Sequence, residues 1–114
     1  MDMPDWVMGF PGSVLISDAE NTLIWMNDKA SAAYESQGGR ALIGRGLGAC
    51  HNERSRGIMD RMLEDGKPNV YTIEKKGVKK LIYQTPWKDG AGKVAGLVEL
   101  SMEIPFEMPH FVRG

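Results

Sequence analysis

Hydrophobic and polar positions alternate in short runs at both ends of the chain and recur at helical spacing in the middle. Ser13–Ser17 and Thr22–Met26 read as two strands around the polar turn Asp18-Ala19-Glu20-Asn21. Asp and Asn suit such a turn because their side chains bond nearby backbone groups and tolerate left-handed geometry. Asp28–Ser36 follows as a short helix capped by Asn27 or Asp28, with Ala30, Ala33 and Tyr34 on one side and Gly38-Gly39 as its stop. Asn52–Asp65 is the strongest helical pattern. Asn52 serves as N-cap, Glu53 favours the positive end of the dipole, and Ile58, Met59, Met62 and Leu63 form a stripe opposite Arg54, Asp60, Arg61 and Glu64. Gly66 and Pro68 terminate it.

The last third reads as β-structure. Val70–Lys75 and Val78–Trp87 flank Lys76-Gly77, and after the turn Asp89-Gly90-Ala91-Gly92 comes Lys93–Ile104. There Val94, Val98, Leu100, Met102 and Ile104 share one face, while Glu99, Ser101 and Glu103 share the other. The order predicts an α+β fold: a five-stranded antiparallel sheet with short helices and one longer helix packed on one face. Residues 1–12 form an arm, irregular or a single helical turn, and residues 13–104 the domain. Residues 105–114, with Pro105 and Pro109, form an irregular tail.

Composition narrows the function. A chain of 114 residues suits one domain with a modest core, and a net charge of −1 gives no electrostatic case for nucleic acid or an acidic membrane. Lys75, Lys76, Lys79 and Lys80 cluster, as residues protecting a strand edge do. Cys50 is the single cysteine, which excludes an internal disulfide and suits a reducing compartment. The start of the chain has no basic segment followed by an apolar run, and no window approaches the ~18 apolar residues of a membrane span. The expected location is the cytoplasm.

Candidate chemistry is sparse. Gly44-Arg45-Gly46-Leu47-Gly48 follows an apolar run, yet no βαβ unit surrounds it to make a dinucleotide-binding turn. Cys50-His51 stands at a helix entry, where a thiol can become reactive, but no orienting acid is identifiable. With His110 the pair falls short of structural zinc spacing, so neither a metal site nor a catalytic group is expected. Met59, Met62 and Met102 on core faces suit either plain packing or a plastic, ligand-admitting interior. Trp6, Phe10 and Trp87 suggest a self-association surface in which the arm covers the open sheet.

Taken in order, VLISDAENTLIWMN (with Asp18 at the turn and Asn27 after the second strand), GGRALIGRGL and GAGKVAGLVELSMEI resemble a PAS domain over Gly12–Ile104. The resemblance implies a sensory module whose sheet cups a small molecule beneath the longer helix, dimeric and coupled to an output, in the manner of bacterial regulators. It does not imply flavin photochemistry, because Leu47 stands where the photosensory branch carries its reactive cysteine. Haem-binding members place a histidine within the longer helix, whereas His51 lies at its start, which leaves haem open but unsupported. The expected ligand-binding residues are Cys50 and His51 at the rim with Ile58, Met59, Met62, Ile82, Gln84 and Val98 inside. Parity also allows Leu81 and Tyr83 to face inward; the pair Ile82 and Gln84 is preferred because a buried glutamine can hold a polar ligand group. The leading expectation is therefore a non-enzymatic sensor for an unidentified small molecule, acting through a homodimer or an output partner. The rivals are a ligand-free dimerisation module and a small redox enzyme using Cys50.

Overall fold

The computed structural model describes residues 2–46 and 53–114. Five strands form one antiparallel sheet: β1 (Ser13–Asp18), β2 (Leu23–Met26), β3 (Asn69–Lys75), β4 (Val78–Lys88) and β5 (Val94–Ile104), in the spatial order β2-β1-β5-β4-β3. The β1–β2 and β3–β4 hairpins are thus joined through β5, which lies at the centre. Helix α1 (Asp5–Met8) is one turn within the arm. Helix α2 (Asp28–Ala33) follows β2, two single 3₁₀ turns span Glu35–Gln37 and Gly39–Leu42, and α3 (Glu53–Asp65) precedes β3.

Local chemistry accounts for the turns. Asp18 Oδ1 accepts from the amides of Glu20 and Thr22 at 3.0 and 2.9 Å, and Asn21 takes the left-handed conformation at φ 59°. Lys76 and Gly77 have φ values of 54° and 76°, the paired positive angles of a two-residue hairpin whose twist matches its strands. The helix expected over Asp28–Ser36 stops at Ala33, and tighter 3₁₀ turns carry the chain to Leu42. Asn27, rather than Asp28, is the cap of α2: its Oδ1 accepts from Ala30 N at 3.0 Å. The cap expected of Asn52 lies outside the described residues.

Both faces of the sheet are covered over β1, β2 and β5, whereas β3 is exposed from Val70 to Lys75. On the inner face Leu15 packs with Leu23, Met26, Ala30 and Leu42, while Leu97 packs with Met59, Met62, Ile58 and Leu63 of α3. On the outer face Val14, Ile16 and Trp25 receive Met3, Val7, Met8 and Phe10 from the arm, together with Trp87, Val98 and Leu100. Strand pairing separates the faces cleanly: Gln84, Glu99 and Leu15 are cross-strand neighbours on the inner side, and Tyr83, Leu100 and Val14 on the outer.

This arrangement places three of the expected site residues on the outer side of the sheet. Val98 belongs by its side chain to the outer cluster, because the apolar stripe of β5 meets the arm and not the helices. Phe10 and Trp87 are half-buried and make contacts within the chain. Phe10 packs on the outer cluster, and Trp87 Nε1 donates to Ser17 O at 3.0 Å. Trp6, expected at an interface with them, stands largely in solvent, 72% exposed. The indole of Trp87 reaches Ser17 across Gly96, where any Cβ would lie 1.9 Å from Ser17 O.

Candidate ligand site

The inner face of the sheet, α3 and the 3₁₀ turns border a partly open cavity of about 420 Å³. Its walls are mainly apolar: Leu15 from β1, Leu23 from β2, Leu42 from the second 3₁₀ turn, Met59 and Met62 from α3, and Leu97 from β5. Helical spacing explains the methionines, since positions three apart on α3 project from one side, and Met62 is only 1% exposed. Ser17, Tyr34, Gln37, Arg45, Gln84 and Glu99 add polar groups to the lining. A mostly apolar cleft of a few hundred Å³ with a few convergent polar groups is the usual form of a small-molecule site.

The polar groups are ordered by the strand register. Asn69, Gln84 and Glu99 are neighbours across β3, β4 and β5. Asn69 Nδ2 donates to Gln84 Oε1 at 2.9 Å, and Gln84 Nε2 donates to Glu99 Oε1 at 2.7 Å. Tyr34 has its phenol pKa raised by burial first, then by the charge of Glu99 and by Tyr71. Tyr71 is raised in the same direction, by burial and then by Glu99. Both phenols therefore keep their protons at neutral pH and remain hydrogen-bond donors beside the carboxylate.

At the opposite end, the glycine-punctuated segment closes on the β2 edge. Gly44 N donates to Leu23 O at 2.7 Å, Leu23 N donates to Arg45 O at 2.9 Å, and Thr22 bridges to Gly46. Gly44 and Gly46, two of the glycines of the apparent nucleotide turn, thus lie where the chain adds to an open strand edge and brings Arg45 to the cavity rim.

Of the residues expected at the site, Met59, Met62 and Gln84 line the cavity. Val98 borders it while its side chain packs on the far side of the sheet. Ile82 is buried on the inner face beside Tyr71, and Ile58 packs behind the methionines; neither is in the lining. Cys50 and His51, and with them the candidate haem ligand, lie outside the described residues. Sequence reasoning missed the rest of the lining, including Tyr34, Arg45, Leu97 and Glu99. No linear signal marked Glu99: with Val98 expected inside, alternation put Glu99 on the opposite face, and its pairing with Gln84 is set by strand register.

Among the described residues no group of three or more His, Cys, Asp and Glu side chains is placed to hold a metal ion, and no helix is long and apolar enough to cross a membrane.

No protein-family model matches the chain, and no curated protein matches it by sequence. Solved structures do match. A PAS domain from Colwellia psychrerythraea superposes with a TM-score of 0.65 at 14% identity, covering 88% of this chain and 92% of that one. The Vibrio cholerae VqmA dimer, a LuxR-type receptor described without its target DNA, gives 0.65 at 19% identity; the match covers 96% of this chain and 55% of VqmA. The Aer2 receptor of Vibrio cholerae, described as a dual PAS-heme oxygen sensor, gives 0.59 at 13% identity over 82% of this chain and 95% of that one. At such identities the shared property is architecture. Two hairpins joined through a central fifth strand, with helices cupped over one face, are the PAS-like fold, and that is the fold of this chain.

Proposed function

We propose that this chain is a sensory module that works by binding a small molecule in the cavity between α3 and the sheet, without turning it over. The observation that carries the reading is the cavity itself: about 420 Å³ of mainly apolar space inside a small domain, bordered by an ordered run of polar side chains. A mostly apolar cleft of this size with a few convergent polar groups has the form of a small-molecule site. Likeness of fold to sensory receptors supports the same reading, and one of those structures is described as VqmA bound to DPO. Occupancy would act on the contact of Met59 and Met62 with Leu97, shifting the seat of α3 on β5 between two arrangements.

Met62→Trp tests the reading, because an indole at this position fills the cavity from within. Wild-type protein is expected to bind 3-methylindole, a compact apolar probe, in calorimetry at millimolar concentration, and the variant is expected not to. Equal binding by both proteins, or none by either, would overturn the proposal.

A further inference from the structure

The polar end of the cavity is strongly biased in what it can recognise. Gln84 has its carbonyl oxygen occupied by Asn69, so its amide nitrogen is turned to Glu99. A carboxylate has about four acceptor sites, and the hydrogen bonds among the described residues use one of them on Glu99. No cation neutralises Glu99 there, since the ion pairs among the described residues are Arg40 with Asp28 and Arg61 with Asp65. Arg45, the cation in the cavity lining, is exposed at the β2 edge, where solvent and salt screen it. The site therefore presents a half-buried acceptor and negative charge beneath an apolar vault. An anionic ligand group placed beside Glu99 would meet like charge, and a purely apolar one would strip water from the carboxylate without replacing it.

We infer that the ligand is a small nitrogen base, with an apolar body against Met59, Met62 and Leu97 and a protonated amine or N–H edge donating to Glu99. This rests on the cavity being a ligand site, and it adds the class of molecule that enters. A hydrogen bond to an ionised partner is roughly twice as strong as a neutral one, so Glu99 would dominate selection among ligands of equal shape. Tyr34, which lines the cavity and is kept protonated beside Glu99, contributes a further polar group at that end without competing as an anion.

Three probes with one ring system separate the terms: tryptamine, 3-methylindole and indole-3-acetate, each titrated calorimetrically at neutral pH. Wild-type protein is expected to bind tryptamine at least about tenfold more tightly than indole-3-acetate, with 3-methylindole between them. Glu99→Gln, close in shape but uncharged, should level the three, and Glu99→Asp should keep the order. The order on wild-type protein and on Glu99→Asp decides the question even if Glu99→Gln does not fold. Equal affinities, a preference for the acetate, or a tryptamine preference that survives in Glu99→Gln would overturn the inference. If 3-methylindole binds wild-type protein and not Met62→Trp while the tryptamine preference is absent, only the ligand class fails. If no probe binds, the cavity reading fails with it.

Discussion

Asn27 is 0% exposed and joins three parts of the chain through one amide. Its Oδ1 accepts from Val14 N and Ala30 N, both at 3.0 Å, so it ties strand β1 to the first turn of α2. Its Nδ2 donates to Gly12 O at 2.8 Å and to Val7 O at 3.2 Å, which holds the arm. Both ends of the amide are satisfied, as a buried polar group requires. Asn27→Ala removes all these bonds and strands buried backbone groups, and it is expected to lower stability by about 2–4 kcal/mol in urea denaturation. A loss below about 0.5 kcal/mol, the level of an ordinary surface substitution, would show that water replaces the amide freely. The sequence reading had identified this asparagine as a candidate cap. It could not identify the contacts to residues 7 and 12, because nothing in a linear pattern says which distant carbonyls return to a side chain.

At the scale of elements, α3 shows how far periodicity reaches. Its stripe of Ile58, Met59, Met62 and Leu63 was legible from spacing, and those residues do pack against Leu97. Gly57 interrupts the helix on its exposed side, with open space where a Cβ would stand. Gly57→Ala is therefore expected to stabilise the protein by about 0.5–1 kcal/mol through helix propensity and the smaller entropy of the unfolded chain. Chemical denaturation measures it, and a destabilisation would mean that the glycine is there for close approach. Strand β5 shows the limit of the same reasoning. Alternation separated Val98, Leu100 and Met102 from Glu99 and Ser101 correctly, but a period of two only divides a strand into two faces. With helices expected on a single side, the apolar face was assigned to them. In the folded chain the arm takes that face, and the cavity receives Leu97 and Glu99.

For the whole molecule, the arm is the second layer on a sheet that would otherwise have one face open. Met3, Val7, Met8 and Phe10 lie over Val14, Ile16 and Trp25, and the bond from Trp87 to Ser17 secures the same side. Deleting residues 2–10 re-exposes that cluster and is expected to lower stability by about 3 kcal/mol or more, because each large apolar group contributes on the order of 1.5–3 kcal/mol when fully buried. Unchanged denaturation of the truncated protein would show that the arm only rests on the sheet. The division between what sequence and tertiary structure each decided follows from the range of the forces involved. The sequence by itself determined the strands, the longer helix, the Asp18 and Lys76-Gly77 turns and the α+β architecture, because these depend on backbone preference and local periodicity. Only the tertiary structure decided which face of β5 met the arm, that Gln84 and Glu99 became hydrogen-bonded neighbours, and that the Gly44–Gly46 segment closed the cavity rim. Those outcomes depend on strand register and on contacts between residues far apart in the chain, which pattern along the chain does not encode.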